Sequence, residues 1–249
     1  MSEATRAMGL HLAVLAHEPE TRLGTFAAEL DAADVTYEVL STTRGGLPDH
    51  DHFDGAIALG GSLAADDARL LETRRWIRNG VMNGLPFLGV CLGGQLLALA
   101  LGARVTRRHP EVGLHDVFLT EAGGRDPLFS GLPRRLEVFG WHQDAFELPT
   151  GAVPLAGSIR STYQAFRFGA AAYGLQFHPE VRADDLAAWR GVRGYRELAA
   201  RAGADFDTLA TDLRRAAPEL DALAAQLLER WLHLVAAVDL LGSRERAAA

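Results

Sequence analysis

The chain has 249 residues, 48% of them hydrophobic, enough for a substantial core and against a disordered or low-complexity protein. A net charge of -7 argues against a broad nucleic-acid footprint, and no run of 18 apolar residues escapes charge, proline or glycine, so neither nucleic acid nor a membrane is an expected partner. One cysteine excludes an internal disulfide, and all 25 basic residues are arginine, which excludes chemistry that needs a lysine on this chain.

The first eight residues lack the apolar stretch of a secretion signal, and with the unpaired thiol this predicts a cytoplasmic protein. Residues 10–15 read as a buried strand and His17-Glu18-Pro19-Glu20 as a loop. An amphipathic helix follows over 23–30 and a second strand over 35–40. The polar, glycine-rich stretch 41–51 is a loop before a third apolar strand, 55–59, which ends at Gly60-Gly61. A helix around 68–78, a strand over 87–90 and a helix over 92–101 complete the alternation, with Gly102 placed as a helix C-cap. Strand and helix periods that alternate in this way predict a mostly parallel α/β sheet.

From residue 103 to 181 the pattern changes to short strand-like pieces at 117–120, 136–139, 153–156 and 172–177, which extend the sheet or form an antiparallel excursion. Residues 182–241 are rich in alanine, leucine and arginine and predict several helices. Pro218 suits the first turn of the last one, whose Leu220, Leu223, Leu227, Trp231, Leu234 and Val238 recur at helical spacing. That pattern favours a helix packed on its own domain over one that binds a partner. Only the two termini read as disordered.

Cys91 stands where the apolar strand turns into the apolar helix, in Gly89-Val90-Cys91-Leu92-Gly93. Backbone at such a nucleophile elbow is strained and flanking side chains would collide, so glycine on both sides fits a reactive sulfur better than a core filler. Amide dipoles at the helix N-terminus favour the thiolate. Attack on a carbonyl puts negative charge on its oxygen, and the N–H groups of Leu92 and of Gly61, on a neighbouring strand end, are the expected acceptors of that charge. Among nine histidines His178 is distinguished, because it ends an apolar strand and carries a carboxylate two residues on. Pro179 biases it toward extended geometry, so Glu180 can lie on the same side and orient the imidazole. Cys91, His178 and Glu180 make a nucleophile, base and orienter set.

At these residues the chain resembles the class I (triad) glutamine amidotransferases, and is similar in particular to stand-alone relatives of the glutaminase domain of GMP synthase. The resemblance covers residues 10–181 and rests on Ala58-Leu59-Gly60-Gly61, Gly89-Val90-Cys91-Leu92-Gly93-Gly94-Gln95, Trp141-His142-Gln143-Asp144 and Gly174-Leu175-Gln176-Phe177-His178-Pro179-Glu180. It implies a flavodoxin-like, mostly parallel sheet flanked by helices, with residues 8–181 as the amidotransferase-like domain; residues 182–242 read as a helical extension packed on the same domain. It implies hydrolysis of the glutamine side-chain amide through a γ-glutamyl thioester on Cys91, with no metal or organic cofactor and a separate ammonia-accepting synthetase as partner. Gln95, His142, Gln143 and Asp144 fall where the family contacts the amino-acid end of glutamine. Read on their own, the same four residues serve equally well in loops or caps. Trp141 and Tyr163 read as packing residues.

The chain also departs from the family. Ser62 stands where many relatives have proline after the paired glycines, so the loop carrying the Gly61 donor is expected to be more mobile or held differently. Gln143 replaces a glycine common in the third motif and narrows the pocket. No ATP-pyrophosphatase segment follows residue 181, and helical sequence takes its place. Two other functions stay open: a stand-alone γ-glutamyl hydrolase or peptidase working through the same thioester, and a non-catalytic binding protein on a retained fold. The intact triad ranks the last of these lowest.

Overall fold

Strands that are apolar along their whole length need cover on both faces, and the centre of the sheet shows this pattern. In the computed structural model, which describes residues 9–248, β1 (His11–Ala16), β3 (Gly55–Ala58), β4 (Phe87–Val90) and β9 (Ala172–Leu175) are almost entirely buried. The fifth parallel strand, β2 (Thr36–Ser41), is mostly exposed and forms one edge. These strands pair in the order β2-β1-β3-β4-β9, all parallel.

Alternate residues of the central strands face different helices. Leu12, Val14, Ile57, Leu88 and Val90 share a core with Phe26 and Leu30 of α1 (Thr25–Ala32) and with Leu227, Trp231 and Val235 of α7 (Phe206–Ala248). Ala13, Leu15, Ala56, Ala58 and Phe87 face Trp76 and Ile77 of α2 (Leu71–Met82) and Leu92, Leu96 and Leu97 of α3 (Leu92–Ala100). The C-terminal helix thus supplies one of the two layers that bury the sheet. Among the described residues no helix is long and apolar enough to cross a membrane.

Beyond β9 the sheet turns antiparallel through β8 (Ala165–Phe168), β7 (Val153–Gly157), β5 (Val105–Leu119) and β6 (Arg135–Phe146). The expected short pieces at 117–120 and 136–139 are therefore parts of two long paired strands. Their length is masked in sequence by Gly113 and by the charged Arg107-Arg108-His109 run, where the β5–β6 register shifts between Arg107 and Glu111. The short helix α4 (Glu121–Arg125) follows β5, capped by the Thr120 hydroxyl, which accepts the Gly123 N–H at 2.9 Å.

The C-terminal region forms α5 (Asp185–Trp189), α6 (Arg193–Ala202) and α7. Pro218 lies inside α7 and does not open it. Proline removes one helix hydrogen bond, but Pro218 is exposed, where water can satisfy the freed carbonyl, and Leu213, Ala216 and Leu220 on either side are buried. Leu213 and Leu220 pack in a third core with Trp189, Tyr195 and Trp141, whereas Leu223 to Val235 pack under the sheet. The expected disorder at the N-terminus falls on residues 1–8, outside the described residues.

Candidate functional site

The Cys91 backbone has φ 50°, a left-handed conformation shared among described non-glycine residues only with Asp34. Such a conformation costs on the order of 1–3 kcal/mol and persists only where its surroundings enforce it. Here the Cys91 N–H donates to the Leu175 carbonyl at 2.7 Å, and the Gly93 N–H donates to the Leu59 carbonyl at 3.1 Å, tying the turn to strand ends on both sides. A Cβ on Gly93 would fall 2.0 Å from the Ala58 carbonyl oxygen, so only glycine lets α3 start this close to the sheet. The Leu92 N–H, first in α3, has no intrahelical carbonyl to bond.

The sulfur lies within reach of three polar partners. Its S–H points to the Trp141 carbonyl at 3.7 Å, and the Gln176 amide donates to the sulfur at 3.8 Å. The third partner is the His178 imidazole. His178 Nδ1 donates to Glu180 Oε1 at 2.8 Å, which leaves Nε2 as the nitrogen for the thiol. His178, Glu180 and Cys91 are all nearly inaccessible to solvent. Burial alone would push the imidazole toward its neutral form, but the Glu180 carboxylate and the Cys91 sulfur, through charge and hydrogen bonding, raise its pKa to about 10. The imidazole is thereby held protonated beside the Cys91 sulfur. Gly60 makes room for it, since a Cβ there would come within 2.5 Å of His178 Cε1.

Cys91 opens onto a cavity of about 250 Å³. Gly61, Leu92, Gln95, His142, Gln143 and Asp144 all border it, so every residue expected at the oxyanion and substrate positions reaches one space. Their polar atoms are not equally free. Gln95 donates its amide to the Asp144 carbonyl at 2.8 Å and lies 3.4 Å from Gln176 Oε1. The His142 ring is buried, with Nδ1 3.2 Å from the Asp144 carbonyl and Nε2 3.3 Å from Glu111 Oε2 but off the hydrogen-bond direction. His142 therefore braces the segment from behind. Gln143 Oε1 is buried without a partner, a ready acceptor for a donor entering the cavity.

Several residues at the site carried no sequence-based catalytic or substrate-binding role. Gln176 sits two positions before His178 and faces the same sulfur, a buried polar residue just past the end of β9 that the two-residue period could have exposed. Trp141 borders the cavity as well as packing against Trp189, Tyr195 and Phe206. Another part of the wall comes from α6, through Gly194, Tyr195, Glu197, Leu198 and Arg201, and Ser62, Leu63, Ala64 and Arg107 complete it. Tyr195 stacks on Trp189 with ring centroids 4.5 Å apart, and Trp189 meets His178 edge-on at 5.6 Å. Tyr195 also borders a second space of about 10 Å³, where His178 and Glu180 lie. Tyr163 does not line the main cavity and packs with the α2 and α3 layer.

Among the described residues, the one group with metal-ligand spacing is Asp49, His50 and Asp51, on a turn before β3 that does not border this cavity.

A family model described as glutamine amidotransferase class-I matches residues 21–186. The chain belongs to the class I glutamine amidotransferase family. It is 34% identical over 141 residues to the glutamine amidotransferase-like protein YfeJ of Salmonella typhimurium, a stretch covering 53% of this chain and 59% of that relative. It is 40% identical over 100 residues to a glutamine-hydrolyzing GMP synthase subunit of Pyrococcus abyssi, covering 39% of this chain and 52% of that relative. The chain thus spans less than two thirds of the length of these curated relatives.

Solved structures match more completely. A glutamine amidotransferase from Thermotoga maritima superposes with a TM-score of 0.81 at 29% identity, over 90% of this chain and 98% of that one. A glutamine amidotransferase from Methylobacillus flagellatus gives 0.80 at 27% identity, over 92% and 96%. The mixed, mostly parallel nine-stranded sheet with its C-terminal helix is therefore the fold of class I glutamine amidotransferases.

Proposed function

We propose that this amidotransferase-family chain hydrolyses the side-chain amide of glutamine through a thioester on Cys91. The observation that carries this is the Cys91 thiol at a left-handed elbow beside the His178 imidazole, which Glu180 holds at 2.8 Å. The thiolate attacks the amide carbon, and the N–H groups of Leu92 and Gly61 receive the oxygen's charge. The His178 cation gives its proton to the departing nitrogen, releasing ammonia and leaving a γ-glutamyl thioester. Water then attacks that thioester, His178 takes the water's proton, and glutamate leaves as the thiolate is restored. Glu180 keeps the imidazole in the orientation that both steps use.

Substrate size favours glutamine over larger γ-glutamyl compounds. A space of about 250 Å³ lies below the range typical of drug-sized ligands. Gln143 Oε1 and Asp144 offer acceptors for an ammonium, and Arg107 and Arg201 on the cavity border offer donors for a carboxylate. The free ammonia has to be used before it is lost, so a separate synthetase chain is the expected partner, as the name of the Pyrococcus abyssi relative suggests for that protein. A reducing, cytoplasmic setting suits a thiol that must stay unoxidised.

Glutamate release across glutamine and a series of γ-glutamyl amides tests this directly. Turnover of glutamine, alone or with its partner, that disappears in Cys91→Ala is the expected result. Faster turnover of γ-glutamyl peptides without any partner would favour the peptidase, and no release from any substrate would overturn the hydrolase.

A further inference from the structure

We infer that Glu18 and Ser62 form a clamp that aims the Gly61 N–H at the reacting oxygen, a positioning role that rests on the glutaminase reading. The loop after β3 is fixed firmly up to Leu59. The Leu59 N–H donates to Leu15 at 3.1 Å, and its carbonyl accepts the Gly93 N–H at 3.1 Å and His17 Nε2 at 3.0 Å. His17 is therefore the Nε2–H tautomer, and burial keeps it neutral, with its pKa lowered to about 4. Gly60 and Gly61 follow, the pair with the greatest backbone freedom and no side chain to anchor them.

The next anchor is Ser62, and both its donors go to one carboxylate. Its N–H donates to Glu18 Oε2 at 3.0 Å and its hydroxyl donates to Glu18 Oε1. Glu18 follows His17 at the end of β1, the neighbour of β3, so adjacent residues of one strand end hold the glycine pair on both sides. From α6, Gly194 closes on the same serine, because a Cβ there would lie 2.8 Å from Ser62 Cβ. The clamp leaves Gly61 little freedom to turn its N–H away. Donors fixed before the reaction cost no reorganisation when charge develops, and that is where an oxyanion site gains its effect.

The test compares Ser62→Ala, Glu18→Ala and the double variant. Each single variant is expected to lose about 10-fold in kcat for glutamate release with KM little changed, the usual effect of losing a hydrogen bond to a charged group. The double variant should lose no more than Glu18→Ala alone, because Ser62→Ala deletes only the hydroxyl half of the contact that Glu18→Ala deletes entirely. Alkylation of Cys91 by iodoacetamide, which forms no oxyanion, should run at the unsubstituted rate. Backbone hydrogen exchange over residues 60–62 should quicken at least about 10-fold in Glu18→Ala, a readout that needs no turnover. Multiplying losses in the double variant, or exchange unchanged by Glu18→Ala, would overturn the clamp. Faster exchange in a chain that hydrolyses no glutamine would sink the glutaminase reading and leave the clamp standing. Normal kcat in both single variants would remove the positioning role and leave the glutaminase.

Discussion

The elbow side of the cavity and its α6 side are held by different forces. At the elbow the fixing contacts are backbone to backbone: Cys91 to Leu175, Gly93 to Leu59, and a glycine lying against the Ala58 carbonyl. No side chain can be added there without moving the sheet. On α6 the contacts are side-chain packing, chiefly the Trp189–Tyr195 stack, with Glu197 and Arg201 exposed beside the cavity. On the proposed function, chemistry is placed where the fold is least adjustable, and substrate fit on a helix that sequence can vary without disturbing the sheet.

The sharpest way to break this contrast is at the sulfur. Cys91→Ala is expected to lose at least about 10⁴-fold in glutamate release while the chain still folds. Gly93→Ala should destabilise the protein by at least about 3 kcal/mol, seen as a large drop in the urea midpoint, because its methyl meets backbone that cannot yield. Should Gly93→Ala fold normally, the rigidity attributed to the elbow would be wrong.

Next in size is Glu180→Gln, expected to cut kcat about 100-fold by releasing the imidazole. It should also change the pH dependence of stability. His178 binds its proton more tightly in the fold, with a pKa near 10 against the ordinary 6.5, so its stabilisation is complete below about pH 6.5 and lost as pH climbs through about 10. Urea midpoints measured from pH 7 to pH 10 should fall in the unsubstituted protein, and fall less in Glu180→Gln. The smallest effects belong to α6: Arg201→Ala should raise KM about 3- to 10-fold with kcat almost unchanged, which steady-state kinetics on glutamine would show. A comparable loss in kcat would place α6 in the chemistry and erase the contrast.

The same division explains what the sequence could disclose. The strand–Cys91–helix turn was legible because its glycines and apolar runs are consecutive residues that state a local geometry. His178 and Glu180 were legible because proline and a two-residue spacing put them on one side. The α6 wall was not, since Tyr195 and Arg201 reach the cavity only through packing of a distant helix on Trp189 and Trp141. The length of β5 and β6 hid behind a register shift among charged residues, and α7 runs past Pro218 because packing on both flanks outweighs one lost hydrogen bond. His142 shows the limit of a motif: its position beside the cavity was readable, but its ring turns toward Glu111, which belongs to another strand.

The most direct measurement is the intact mass of the protein after exposure to an electrophilic glutamine analogue, with peptide mapping of the adduct. One equivalent added at Cys91, blocked by excess glutamine and slowed in His178→Ala, is the predicted result. Labelling that ignores glutamine, or a Cys91 that stays unmodified with and without a partner present, would contradict the assignment of this thiol as the nucleophile.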